Sequence, residues 1–411
     1  MIMQEHPPSR RLRVVTINSH QPYLFNLNGL AHDFTIIDQG LSGFGCQWNY
    51  GVRPLPDHFR LVSQAEAVTA AQHEPFDVGL AHNITDLLAL KDVTEKLVLL
   101  IHCSLPGRLA NEASHTRAED FVKIMERYLE HVPARIVYVS ALKAETWGGL
   151  NGVVIEHGIQ PELYTGYSGE NPAVLRVSNM QRQRDVILNH TLQQVVLNGI
   201  PNQLFGWNPD VPGATCTSSW EHLKDIYRQY RCFLLTNHPE MEDGYNLAAL
   251  EAMATGMPVV TTPHATSPIR HGENGFVGET VPELRQHLGR LLQDAELARR
   301  LGAAARRTVQ SEFSYVRFLA SWDMLLRRTA ADPATSAPEY CSHTESPAQT
   351  GAAEPLLASE VDTPRLTLIP GGRPESAGPN FTVLPRLRTV TTGCSTGSRA
   401  GSPRNTEDDS S

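Results

Sequence analysis

Residues 242–277 read EDGYNLAALEAMATGMPVVTTPHATSPIRHGENGFV. They follow CFLLT (232–236), an apolar run of strand length. Gly244 permits a tight turn, because it lacks a Cβ. Asn246 is placed to cap a helix over 246–255. Gly256 ends that helix, and Pro258 leads into a further strand, MPVVTT (257–262). Strand, turn, helix and strand in this order build a parallel α/β sheet, whose ligands bind beyond the carboxyl ends of the strands. The exposed N–H groups around Gly244, Tyr245, Asn246 and Leu247 suit a phosphate. Glu251, one to two turns into the helix, is placed to accept two ribose hydroxyls. Asp243, in the preceding loop, is placed to accept hydroxyls of a sugar held further out. The turn formers Gly272, Asn274 and Gly275 before Phe276 line the same rim.

The same alternation extends in both directions. Upstream, AVLRVS (173–178), QLFGW (203–207) and CFLLT read as strands, with helices expected over 185–198 and 219–230. Downstream, 281–293, 295–309 and 315–328 read as closing helices. Before a hinge-like YTGYSGENP (164–172), a first series holds RLRVVTI (11–17), FTIID (34–38), FDVGLAH (76–82), KLVLLIH (96–102), RIVYVS (135–140) and VVIEHG (153–158) as strands. Residues 117–130 have a helical apolar period, and Ser140 is a helix cap. LSGFGCQWNYGVRPLP (41–56) reads as a long loop, a common home of function. The expected fold is α/β, two Rossmann-like domains spanning 1–165 and 166–328. The tail from 329 to 411, rich in Pro, Ser, Thr, Gly and Ala, is expected to be disordered.

Composition narrows the function. The 411-residue chain has 41% apolar and 19% charged residues and a formal net charge of −9, so no basic field points to a nucleic-acid partner. No apolar run reaches about 18 residues, so a membrane span is not expected. The amino-terminal MIMQEHPPSRRLRVV lacks the pattern of a secretory leader. Six scattered cysteines without a CxxC pair argue against structural zinc and against a disulfide framework. A cytoplasmic setting is expected, with peripheral contact at the inner face of a membrane left open. No acidic or His/Cys cluster has convincing metal spacing, and no metal or other cofactor is expected.

Residues 243–276 resemble the retaining GT-B glycosyltransferases, in particular the family numbered four (glycosyl transferases group 1). The usual signature is an acid, seven residues, then Glu-Ala-Met-Ala-x-Gly-x-Pro-Val. Asp243 stands where Glu is usual, and Glu251 through Val259 complete the pattern. Glu242 is offset by one. The resemblance implies that Glu251 binds the donor ribose and that Asp243 contacts the donor sugar. It also implies that His102, ending a strand of the first domain, lies beside the transferred sugar. In VSNMQRQRD (177–185) the two diphosphate-gripping positions fall on Asn179 and Arg184, with Arg182 a near alternative. SALKAETW (140–147) and IEHGIQPELY (155–164) fit the family's pattern at the end of the first domain. Three departures stand out: Asp243 for Glu, neutral Asn179 for Arg, and NSHQPYLFN (18–26) for a Gly-rich turn.

The activity implied is transfer of a hexose-like unit from a nucleoside diphosphate sugar to an acceptor hydroxyl, without metal and with retention, in glycan or glycoconjugate biosynthesis. Base, sugar, acceptor (polysaccharide, lipid-linked glycan or small molecule) and oligomeric state stay open. A phosphorylase or sugar-nucleotide epimerase on the same fold, and a non-catalytic nucleotide-sugar-binding protein, are the alternatives.

Overall fold

The computed structural model describes residues 10–39, 47–148, 150–242 and 244–332. The first series comprises β1 (Arg13–Ile17), α1 (Gln21–Asn26), β2 (Asp33–Gln39), β3 (Phe59–Ser63), α2 (Gln64–His73), β4 (Val78–Ala81), α3 (Ile84–Leu90), β5 (Leu97–Ile101), α4 (Leu105–Asn111), α5 (Ala118–His131), β6 (Ala134–Tyr138), α6 (Ala141–Thr146) and β7 (Gly152–Val154). Its strands form one sheet in the order β3-β2-β1-β4-β5-β6-β7. Every pairing is parallel. The central strands β4 and β5 are buried along their whole length, as expected for a sheet covered on both faces. Chain order reverses about β1, which pairs with both β2 and β4.

The second series comprises β8 (Asn171–Val177), α7 (Asp185–Leu188), α8 (His190–Leu197), β9 (Asn202–Phe205), α9 (Trp220–Gln229), β10 (Tyr230–Leu235), α10 (Leu247–Thr255), β11 (Val259–Thr261), β12 (Gly275–Val277), α11 (Val281–Gln293), α12 (Ala295–Glu312) and α13 (Tyr315–Ala331). Its sheet runs β12-β11-β10-β8-β9 and is parallel. The order reverses between β10 and β8, so the loops after these two strands flank a switch point.

Side-chain caps start most helices where the sequence places them. Ser140, Ser219 and Asn246 accept the N–H groups of Lys143, His222 and Ala249. Gly256 closes α10 in the left-handed conformation at φ 101°. There α12 crosses so closely that a Cβ on Gly302 would lie 1.8 Å from the Gly256 carbonyl oxygen.

Two expectations need correction and two gain detail. The single helix over 185–198 is two helices, broken at Asn189, which takes a left-handed φ of 53°. Asp185 turns back to accept from Thr191 N and Oγ1 at 2.8 and 2.7 Å, which holds the break. The turn at 272–276 continues into strand β12. The last expected helix, 315–328, is α13, which runs to Ala331 and packs on the first domain. Its Phe318, Trp322, Leu325 and Leu326 share a buried cluster with Val14, Leu24, Phe34 and Leu80. Gly158 is required there, since a Cβ would meet Phe318 Cβ at 2.3 Å. Finally, Cys216 is disulfide-bonded, which the cysteine spacing gave no reason to expect. The tail expectation, beyond Asp332, lies outside the described residues. Among the described residues no helix is long and apolar enough to cross a membrane.

Candidate active site

Strand ends of the first domain bring together a stack of histidines. In NSHQPYLFN, which replaces a Gly-rich turn, only Asn18–His20 form the loop after β1, and His20 caps α1 by accepting Tyr23 N at 3.3 Å. The His20 ring lies on His102 at 4.4 Å and 11°. His102 Nε2 and His82 Nδ1 share a hydrogen bond of 2.9 Å. Tyr23 meets His102 edge-on at 5.0 Å. His82, from the end of β4, is a site residue that sequence reasoning missed. The signal was present: FDVGLAH and KLVLLIH are adjacent strands ending in the same residue.

These rings stay neutral. Burial, then the neighbouring His20, His82 and His157, hold His102 well below 6.5. Burial lowers His82 to about 3. It lowers His20 to about 4, partly countered by a backbone hydrogen bond, with Arg184, Lys143 and Arg53 pushing it further down. The sign follows by linkage: the unfolded chain takes up these protons first, from about 6.5, so stability falls as pH drops below that value toward 3–4. Each histidine contributes a slope of about 1.4 kcal/mol per pH unit. Asp86, accepting from His82 N at 3.0 Å and raised by burial to about 6, acts in the opposite direction between 6 and 3.8 and offsets one of them. The melting temperature is therefore expected to fall between pH 6.5 and 4. His82→Gln should melt with a shallower pH slope; an unchanged slope would show that the stack is not the cause.

The second domain contributes the loops after β8 and β10. Asn179 is exposed, and its Oδ1 accepts Trp207 N at 2.8 Å, so this neutral residue ties the β8 loop to the β9 loop. Met180 holds a left-handed φ of 57°, a conformation rare outside glycine. Its carbonyl accepts Arg184 N at 3.0 Å. Arg182 is exposed and Arg184 half-buried. Burial lowers the Arg184 pKa, and Glu242 and Cys103 act against that. Arg184 also acts on His20.

Two ion pairs close the boundary between the two domains. Lys143 Nζ, on α6, lies 2.7 Å from Glu242 Oε1, with both side chains buried or nearly so. Beside it Ser104 Oγ donates to Met241 O at 2.6 Å. The second pair joins Arg53, from the long first-domain loop, to Glu251 Oε1, with side-chain exposures of 1% and 5%. Glu251 Oε2 accepts from the Tyr227 hydroxyl at 3.0 Å, and Tyr164 is buried nearby. Burial, then the Glu251 charge, push both tyrosines well above 10, so their hydroxyls stay donors. The Arg53 guanidinium lies over the Trp220 ring at 4.2 Å.

The start of α10 is formed as the sequence predicts. A Cβ on Gly244 would lie 2.6 Å from Ser267 Cα, so the turn passes tightly under that loop. Tyr245 meets Phe313 edge-on at 5.4 Å. Asn246 Oδ1 accepts Ala249 N at 3.2 Å, and Leu247 packs against both domain cores. Asp243 lies outside the described residues. Among the described residues no group of three His, Cys, Asp or Glu side chains is arranged to hold a metal ion.

The family model described as glycosyl transferases group 1 matches residues 202–294. No curated protein matches the chain. Among solved structures, HepE of Anabaena, in complex with UDP and glucose, is 12% identical with a TM-score of 0.56, over 77% of this chain and 100% of its own. Sucrose-phosphate synthase of Thermosynechococcus elongatus is 16% identical with a TM-score of 0.57, over 77% and 99%. A glycosyltransferase of Rickettsia africae is 13% identical with a TM-score of 0.53, over 79% and 100%. At these identities the likeness is one of fold. The chain therefore has the GT-B fold, and its residues 202–294 match the model of the group 1 glycosyl transferases.

Proposed function

We propose that this protein is a retaining glycosyltransferase that moves a hexose from a nucleoside diphosphate sugar to an acceptor hydroxyl in glycan or glycoconjugate biosynthesis. The observation that supports the reading best is the capped helix α10 with Glu251 on it, at the switch point of the second sheet. The C1–oxygen bond to the diphosphate breaks, and the acceptor oxygen forms its bond to C1 on the same face. The leaving phosphate oxygen takes the acceptor proton. Arg184, the N–H groups around Gly244–Leu247 and the helix dipole meet the developing charge, without a metal. Glu251 takes the ribose and Asp243 the transferred sugar. His102, neutral and held by His82 and His20, orients that sugar and transfers no proton.

The test is a thermal-shift screen with UDP-, GDP-, ADP- and dTDP-sugars, followed by transfer assays in excess chelator. UDP-glucose is the first donor to try, since HepE has been solved with it. A true donor at about 100 times its Kd stabilises the fold by about 2.7 kcal/mol. No shift with any donor would sink the reading. Activity lost in chelator and restored by Mn²⁺ would overturn the metal-free part. A second reading, a non-catalytic nucleotide-sugar-binding protein, is favoured by neutral Asn179 and by the protein partners already on Glu251. It predicts binding without turnover.

A further inference from the structure

The loop segment 48–53 forms a strap between the two domains. On the first domain it is held firmly. Gln21 Nε2 donates to Asn49 O and Gln21 Oε1 accepts Asn49 N, both at 2.8 Å. Trp48 is buried in the first-domain core, and within the strap its Nε1 donates to Arg53 O at 3.0 Å. On the second domain the strap is held by the Arg53–Glu251 pair and by Thr217 Oγ1 donating to Gly51 O at 2.7 Å.

Glu251 has no open face in this arrangement. One oxygen is taken by Arg53 and the other by Tyr227, and the residue is 4% exposed. A ribose cannot reach it while Arg53 is in place. The contact is nevertheless exchangeable. Desolvation of a buried ion pair cancels most of its attraction, whereas a buried carboxylate with no partner is costly. Glu251 therefore requires a donor set, and two ribose hydroxyls serve as well as one guanidinium once Arg53 is returned to water. The strap belongs to the first-domain chain and is anchored there by Gln21 and by the buried Trp48, so domain opening withdraws Arg53 from Glu251 and from the Trp220 ring. The Lys143–Glu242 pair spans the same boundary and is broken by the same motion.

We propose that Arg53 is an autoinhibitory latch: on Glu251 it occupies the seat of the donor ribose, and the donor enters only when the strap withdraws. The proposal rests on the ribose role of Glu251 given above. An affinity reduced by the fraction of open molecules recovers when the latch is removed.

The test is calorimetry of UDP on the full chain, for the wild type, Arg53→Gln and Thr217→Val. If the latch holds the closed form at about 90–99%, Arg53→Gln binds UDP about 10–100-fold more tightly than the wild type. Thr217→Val removes one strap hydrogen bond and spares both charged partners, so it binds about 2–10-fold more tightly. It decides the matter if Arg53→Gln does not fold. Equal affinity in all three proteins overturns the latch while leaving the donor reading intact. Weaker binding by both variants also overturns it, and makes Arg53 a donor contact. If neither the wild type nor either variant binds UDP, GDP, ADP or dTDP, the donor reading itself fails and the latch with it.

Discussion

Arg184→Met is expected to lower kcat for sugar transfer by about 10²–10³-fold, the usual cost of removing one donor aimed at developing negative charge. The leaving diphosphate gains charge as its bond to the sugar breaks, and a half-buried guanidinium meets that charge more strongly than a solvated one. Arg184 is such a group, held through its backbone by the strained Met180. Asn179 carries no charge and is engaged with Trp207 N. Arg182 is exposed, so Arg182→Met serves as the control and should change kcat only a few-fold. Arg184→Lys keeps the charge but not the planar fork, and should fall between the two. Steady-state kinetics with the donor found by the ligand screen gives the answer, with melting curves to show that each variant folds. Equal effects of Arg182→Met and Arg184→Met would mean that the grip on the diphosphate was assigned to the wrong residue.

The parts legible in the sequence were those governed by local chemistry. The Asn246 cap, the Gly256 terminus and the fully apolar β4 and β5 runs appear where residue type alone puts them. Short helices escaped notice because they hardly need a period: α2 buries Ala67 and little else, and α1 follows a loop whose residues read as a turn departure. Strand β3 lay beyond a long Gly- and Pro-rich segment. The expected helix over 185–198 is split into α7 and α8 by the Asp185–Thr191 bonds, a side-chain alternative to backbone pairing that a helical period does not reveal.

The site was legible to the same extent. Placing Glu251 on a helix behind the tight Gly244 turn follows from spacing. Its pairing with Arg53 does not, because 198 residues separate the two and the loop that carries Arg53 has no period. Lys143 reads as an ordinary residue near a helix start, yet it is buried and paired with Glu242 from the other domain. Pairings between domains depend on how two finished sheets meet, and no local pattern encodes that.

Trp322→Ala is expected to cost about 3–5 kcal/mol of stability, the range for deleting a large buried aromatic. Chain order places Trp322 in the second domain, but its side chain is fully buried in the core of the first. Its Nε1 donates to the Tyr23 hydroxyl at 3.1 Å, and Tyr23 in turn stands edge-on to His102. Removing the indole leaves a cavity and strands that hydroxyl, so the loss exceeds simple transfer of apolar area. Trp322→Phe retains most of the ring and loses the hydrogen bond, and should cost less than the alanine variant. Met324, on the same helix and 66% exposed, is the internal control, with Met324→Ala expected within about 0.5 kcal/mol of the wild type. Urea unfolding followed by circular dichroism measures all three. A cost below about 1 kcal/mol for Trp322→Ala would place it in the range of ordinary surface changes, and would mean that α13 does not belong to the first-domain core. A loss in the expected range would make the last helix a strap that ties the two domains together through the residue supporting the histidine stack.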